Sequence, residues 1–243
     1  MTDGGGTTGR SALVFGGTRG IGLATAQALA ARGHRVAVAA RGVPGPGPAG
    51  LWAVRCDVTD GDQVDAAFAG AAARHGPVQI VVAAQGMRRD GLLVRADAAS
   101  FQRVADVNLT GTWRIVRRAA PAMTGAGWGR LVLVSSVAAV LGTAGQSAYA
   151  AAKAGLTGLA RSAARELGPG GVTCNVVLPG FVDTALTSDL PAHRRAAILA
   201  ATPLGRAGRP QEIAAVVAFL ASETAGYLTG AVVPVDGGLA MGH

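Results

Sequence analysis

The chain has 243 residues, half of them hydrophobic, 15% charged and 4% aromatic, which is enough apolar material for a substantial core and excludes general disorder. Its formal net charge of +8 favours anionic partners such as phosphorylated cofactors, thioester carriers or nucleic acid, yet the few aromatics do not interleave with basic runs, so no platform for single strands is expected. Cys56 and Cys174 stand far apart without a nearby His pair, which excludes a zinc-ligand pattern and a disulfide framework and leaves both as small core residues.

Residues 1–10 are a Gly/Thr-rich stretch, read as a flexible terminus, without the basic region and apolar run of a signal peptide. No apolar span is long enough for a membrane. The expectation is a cytoplasmic protein with neither a membrane nor a nucleic-acid partner. Residues 11–243 are expected to form one domain, because no linker separates two core-forming segments. Continuous apolar runs predict buried strands at Ala12–Phe15, Val36–Ala39, Leu51–Val54, Val78–Ala83, Leu131–Val134, Val172–Val177 and Val232–Val235. Between them, helical patterns fall at about Gly20–Arg32, Asp60–Arg74, Ala98–Met123, Ser147–Leu167 and Pro210–Ala221. The Pro-Gly repeats between Arg41 and Gly50 cannot form a regular helix, so one crossover shortens to a loop. The alternation predicts a single-domain, doubly wound α/β fold of the Rossmann type, a seven-stranded parallel sheet flanked by helices.

The first strand runs into Gly16-Gly17-Thr18-Arg19-Gly20-Ile21-Gly22 and then an Ala-rich helix. In that context glycines let the turn tighten, the backbone approach a pyrophosphate and the helix amides face the anion; a bare tight turn is the competing reading. At the end of the second strand, where an Asp or Glu usually meets a free ribose 2′-hydroxyl, Ala39-Ala40-Arg41-Gly42 offers only arginine. That favours a 2′-phosphate, hence NADPH/NADP+, with Arg19 as the second half of a guanidinium clamp, unless both are solvated surface charges. Asp57 either accepts from the adenine amine or belongs to a helix cap in the Asp57–Asp60 region.

Tyr149-Ala150-Ala151-Ala152-Lys153 puts a phenol and an ammonium on one helix face. A phenol that titrates near about 10 has to be brought toward neutrality, a change of roughly 4 kcal/mol, and an adjacent ammonium acts in that direction. Ser136 follows the strand Leu131–Val134, where the carboxyl end of a strand opens on the ligand crevice and a hydroxyl can hold a carbonyl oxygen. Each feature alone is ordinary. Their combination is specific.

Gly16-x-x-x-Gly20-x-Gly22, Asn108, Ser136, Tyr149-x-x-x-Lys153 and Pro179-Gly180 resemble the short-chain dehydrogenase/reductase family over nearly the whole chain. Asn108-Leu109-Thr110-Gly111, Gly145 to Tyr149, Asn175 to Gly180 and Val235 to Gly238 resemble its 3-oxoacyl-acyl carrier protein reductases, and Gly237 to His243 the mycolate-pathway β-ketoacyl reductase branch. The resemblance implies that Tyr149 gives its proton to a ketone oxygen that Ser136 also holds, and that Lys153 binds the nicotinamide ribose and depresses the Tyr149 pKa. It implies that Asn108 anchors a water for proton resupply, and that Asp57, Val58 and Gly86 lie along the cofactor. Pro179-Gly180 with Val182 and Thr184 would close over the carboxamide, with Asp183–Ala201 as a mobile lid. It implies a β-ketoacyl thioester substrate, acyl carrier protein or coenzyme A as its carrier, and a homotetramer built on the helices after Asn108 and Ser147.

Three positions depart from that pattern. Phe15 stands where Thr is usual, Ala84-Gln85-Gly86 replaces Asn-Ala-Gly, and Gly127 and Gly170 occupy the carrier-docking arginine positions. Docking would then fall to Arg114, Arg117, Arg118, Arg161 or Arg165, or those five form a solvated or oligomer face. Leu141, Leu186 and Leu190 suit an acyl chain. The scattered His34, His75, His193 and His243 predict no metal. Another carbonyl substrate (polyketide, sugar, quinone or small alcohol) and a catalytically silent NADP-binding scaffold are the alternatives.

Overall fold

The computed structural model describes residues 9–42, 47–188 and 190–242. The chain runs β1 (Ser11–Phe15), α1 (Gly20–Ala31), β2 (Arg35–Ala40), β3 (Trp52–Arg55), α2 (Gly61–His75), β4 (Val78–Ala83) and α3 (Ala98–Ala105). There follow α4 (Gly111–Gly125), β5 (Gly129–Val134), α5 (Ala138–Leu141), α6 (Ser147–Leu167), β6 (Val172–Pro179), α7 (Ala192–Ala201), α8 (Pro210–Leu220) and β7 (Val232–Val235). The seven strands form one sheet in the order β3-β2-β1-β4-β5-β6-β7, and every pair is parallel. The predicted doubly wound α/β fold is therefore the fold of the chain.

Strand side chains alternate between two apolar layers. Leu13 and Phe15 of β1 pack with Phe68 of α2, Ile115 of α4 and Ala160 of α6, while Ala12 and Val14 pack with Leu29 of α1 and Ile213 and Val217 of α8. Because both faces are covered, β1, β5 and β6 are buried along their whole length, whereas the edge strands β3 and β7 are only half-buried. Cys56 and Cys174 are both buried and free.

Local chemistry sets the helix starts. The Asp60 carboxylate accepts from the Asp62 and Gln63 amides to cap α2, the Asp97 carboxylate caps α3 at the Ser100 amide, and Pro210 opens α8. The region between Asp57 and Asp60 thus divides in two: Asp60 is the cap, and Asp57 accepts from the Thr59 amide and hydroxyl.

Three expectations need correction. The pattern from Ala98 to Met123 is not one regular helix, because a π-turn over Asp106–Thr110 joins α3 to α4. The segment after Asp183 contains the helix α7, none of whose residues is fully buried. Arg10 is not a loose terminal residue: its guanidinium stacks 3.5 Å from the Trp128 ring and pairs with Glu223. Residues 1–8 of the expected flexible stretch, 43–46 of the Pro-Gly crossover and His243 lie outside the described residues. The described end of that crossover, Pro48–Gly50, is a single 3₁₀ turn.

Candidate active site

The sheet order reverses between β1 and β4, so the connections leaving their carboxyl ends part to opposite faces and open a crevice. A cavity of about 970 Å³ lies there. Every predicted cofactor residue lines it: Gly16, Thr18, Arg19, Gly20, Ile21 and Gly22 after β1, Arg41 after β2, Asp57 and Val58 after β3, Gly86 after β4, and Pro179, Gly180, Val182 and Thr184 beyond β6. Ser136, Tyr149 and Lys153 line the same cavity, which brings both predicted ends of the site together.

The glycine turn is built by exclusion. Gly16 has φ +72° and a Cβ there would stand 2.7 Å from the Gln85 amide, while a Cβ on Gly22 would stand 2.2 Å from the Gly16 carbonyl oxygen. Among the described residues the start of α1 has no side-chain cap, unlike α2 and α3, and no acidic residue in its first turn, unlike α2. Its first amides therefore face the cavity with their hydrogen-bonding capacity unspent, and the positive end of the helix dipole points the same way. Arg19 and Arg41 are exposed at the rim, and neither guanidinium is paired among the described residues. Uncapped amides and excluded Cβ atoms suit the phosphates of a dinucleotide. Phe15, in the place of the family's usual Thr, is fully buried against Phe68, with ring centroids 5.7 Å apart.

At the other end α6 presents Tyr149 and Lys153 one turn apart, both buried. Of the 22 basic residues Lys153 is the only lysine, a signal that sequence reasoning missed. Its ammonium donates to the Val134 carbonyl at 2.8 Å and to the Gln85 carbonyl at 3.4 Å, and burial brings its pKa down to about 8. The Ser135 hydroxyl donates to the Lys153 carbonyl at 2.8 Å and ties β5 to α6. The expected depression of Tyr149 is corrected here. Burial pushes the phenol above its ordinary value, a hydrogen bond with Ser136 is the largest opposing influence, and Arg88 and Asp90 add smaller effects of opposite sign. The Lys153 nitrogen lies 5.9 Å from the centre of the tyrosine ring and is aimed at main-chain oxygens instead.

Asn108 stands behind the cavity, fully buried in the π-turn. Its side chain is fully engaged: the amide nitrogen donates to the Met87 carbonyl at 2.7 Å and the Val104 carbonyl at 2.8 Å, and the Oδ1 accepts from the Met87 amide at 3.2 Å. A Cβ on Gly86 would lie 3.6 Å from Asn108 Oδ1 and 3.9 Å from Lys153 Nζ, so this glycine keeps the space between them open.

Leu141, Leu186 and Leu190 line the wide part of the cavity, together with Arg88 and with Arg194 and Ile198 of α7. Of the five arginines considered for docking, Arg114 is held by Asp106 at 2.8 Å and Arg118 by Asp65 at 2.9 Å, and Arg117 lies over Trp113. No group of three or more His, Cys, Asp or Glu gathers among the described residues. No helix among them is long and apolar enough to cross a membrane.

A family model described as enoyl-(acyl carrier protein) reductase matches residues 16–240. The chain belongs to the short-chain dehydrogenase/reductase family. It is 49% identical to the 3-oxoacyl-[acyl-carrier-protein] reductase MabA of Mycobacterium tuberculosis over 234 residues, which is 96% of this chain and 94% of that protein. It is 42% identical to the 3-oxoacyl-[acyl-carrier-protein] reductase FabG of Pseudomonas aeruginosa over 248 residues, 96% of this chain and 98% of the relative. The cis-4-hydroxycyclohexanecarboxylate dehydrogenase of Sinomonas cyclohexanicum is also 42% identical, over 239 residues covering 94% of this chain and 96% of the relative. Within the family, then, similar chains are named for activity on an acyl-carrier ketone and on a ring alcohol.

Proposed function

We propose that this chain is an NADPH-dependent reductase of β-ketoacyl thioesters, a soluble cytoplasmic enzyme of fatty-acid or related biosynthesis. The observation that carries the reading is the corner where Ser136, Tyr149 and Lys153 meet at the wall of a dinucleotide-sized cavity whose other wall is the uncapped start of α1. The 49% identity to a reductase named for that reaction supports the substrate.

The bound nicotinamide would supply the hydride; the chain's own groups handle the proton and the charge. Burial keeps Tyr149 protonated at neutral pH, so it meets the ketone as an acid, and a phenol is a far stronger acid than the aliphatic alcohol it helps to form. Ser136, whose influence opposes the upward push on the phenol, would donate to the same ketone oxygen and fix its direction. Lys153 would hold the ribose hydroxyls and offset the charge left on the tyrosine oxygen. The proton would be replaced from the side of Asn108, the next polar group beyond Lys153. The first turn of α1 would hold the pyrophosphate, and Arg19 and Arg41 the 2′-phosphate, at the end of a strand that offers no carboxylate.

Leu141, Leu186, Leu190 and Ile198 give the cavity an apolar side fit for an acyl chain. Acyl carrier protein is the carrier we favour, and α4 and α6, with Trp113 exposed on α4, are the expected interface of a homotetramer. A second reading, oxidation of a ring alcohol bearing a carboxylate, is favoured by Arg88 and Arg194 on the same wall. The deciding experiment follows NADPH oxidation with acetoacetyl and long-chain β-ketoacyl thioesters, with NADH as control, beside NADP+ reduction with cis-4-hydroxycyclohexanecarboxylate. Faster turnover of a thioester with NADPH is the expected result. Turnover of the ring alcohol alone would transfer the assignment to the second reading.

A further inference from the structure

Gln85 occupies the middle of the segment that departs from the family's usual Asn-Ala-Gly, at the lining of the cavity, and its side chain reaches Thr112 of α4. Its Nε2 donates to the Thr112 hydroxyl at 2.8 Å, and that hydroxyl donates to the Asn108 carbonyl at 2.8 Å. The Asn108 side chain in turn holds both the amide and the carbonyl of Met87, two residues after Gln85. The Gln85 main-chain carbonyl faces the Lys153 ammonium at 3.4 Å. These contacts close a ring: side chain of Gln85, hydroxyl of Thr112, main chain and side chain of Asn108, main chain of Met87, and back to Gln85, whose carbonyl touches the lysine.

We infer that Gln85 and Thr112 form a positioning pair, which locks the π-turn carrying Asn108 and thereby fixes the main chain that orients Lys153 for the proposed reduction. The physical basis is the π-turn itself. Over Asp106–Thr110 the winding is looser, with the Gly111 amide reaching back five residues to the Asp106 carbonyl, and just beyond it the Thr112 hydroxyl adds a side-chain tie to the Asn108 carbonyl. A hydroxyl has one proton to give. The direction of the Gln85 amide decides where that proton goes: with Nε2 toward Thr112, the hydroxyl is free to donate to Asn108. The buried Gln85 Oε1 has no partner among the described residues. A reversed amide would give Oε1 the Thr112 proton and release the Asn108 carbonyl, so the arrangement gives up one hydrogen bond at Gln85 to keep the turn closed. Neither residue touches the reacting atoms, and both act through Asn108 and Lys153.

The inference rests on the reductase reading, and its test has one arm that needs no turnover. Thr112→Val keeps the shape and removes the hydroxyl, Gln85→Met keeps the length and removes the donor, and Thr112→Ser restores the hydroxyl. In steady-state reduction, Thr112→Val and Gln85→Met are expected to lower kcat by about tenfold with both KM values held within about twofold, and Thr112→Ser to return kcat to within about twofold of the parent. The double variant should lose no more than the worse single one, because both cut the same link. In cofactor-free protein, amide exchange at Met87 should quicken by about tenfold in Thr112→Val and Gln85→Met and remain slow in Thr112→Ser. An unchanged kcat, a multiplied loss in the double variant, or unchanged Met87 exchange overturns the inference. If Thr112→Val does not fold, Gln85→Met decides by the same readings. If the parent reduces no thioester, the reductase reading fails alone, and Met87 exchange still decides whether the pair holds the turn.

Discussion

The two walls of the cavity solve their problems with different parts of the chain. At the start of α1 the wall is mainly main chain, kept open by the side chains missing at Gly16 and Gly22, with Arg19 and Arg41 only at its rim. At the start of α6 everything depends on named side-chain atoms: a phenol bonded to Ser136, an ammonium on the Val134 carbonyl, an amide locked on Met87. An amide cradle tolerates substitution wherever a Cβ fits, which is why Phe15 sits in the core below it without altering the turn. A side-chain corner tolerates almost none, because its atoms are held by specific partners in buried surroundings.

The contrast is sharpest at Tyr149. Tyr149→Phe removes one oxygen and no packing, so NADPH binding, measured by fluorescence, should stay within about twofold while kcat for the thioester falls by roughly 10³-fold. A residual rate above about a tenth of the parent would show that the corner does not depend on the phenol.

Gly22→Ala breaks the other wall. The added carbon would lie 2.2 Å from the Gly16 carbonyl oxygen, so either the turn or the helix has to move. The expected result is a weakening of NADPH binding by at least about tenfold, with a stability loss of about 1–3 kcal/mol in denaturant titration. The Tyr149 chemistry should be spared once cofactor is saturating.

pH reads the corner without mutation. Lys153 titrates at about 8 because burial disfavours its charge, so its ammonium form is full below that pH and is lost above it. Tyr149, pushed upward, remains protonated over the same range. The kcat/KM for reduction should therefore fall about tenfold per pH unit above about 8, a limb belonging to the lysine. As Lys153 is the only lysine, ¹³Cε-lysine labelling gives a single side-chain signal, and its midpoint should coincide with that limb in free enzyme. Separate midpoints would detach the lysine from the rate.

At the rim, Arg41→Ala should raise the KM for NADPH by about tenfold and leave that for NADH within about twofold, since only a 2′-phosphate would meet that guanidinium. An equal loss for both cofactors would mean that Arg41 serves the shape of the loop.

What was readable in the chain divides along the same line. The strands are continuous apolar runs because both faces are covered, and the glycine turn and the Tyr-Lys spacing are local, so sequence order displays them directly. Ala192–Ala201 is a short helix whose Ala197, Ile198 and Ala201 line the cavity and none of whose residues is buried in the core, so it falls outside the alternation of strands and core helices that sequence order displays. The upward shift of Tyr149 was misread because spacing shows that a lysine is near and says nothing of where its nitrogen points. Gln85 and Thr112 are 27 positions apart, and no local signal links them.

The smallest effect separates the two kinds of helix start. Asp60 does for α2 what nothing among the described residues does for α1: its carboxylate takes the Asp62 and Gln63 amides, and it also accepts from the Gln63 side chain at 2.8 Å. Those bonds, the Gln63 side chain first, hold the Asp60 pKa below 3.8. With its folded value depressed, the group stabilises the protein above the unfolded value and loses that contribution as pH falls through the folded one. Asp60→Ala should therefore lower Tm by only about 3 °C at neutral pH, and the difference from the parent should close in strong acid. Activity at saturating NADPH should not change, because the Asp62 and Gln63 amides are engaged by the cap and not by a ligand. A change in NADPH affinity beyond about twofold in Asp60→Ala would mean that the cap also shapes the cavity through Gln63, whose side-chain oxygen holds the Asp57 amide at 3.0 Å.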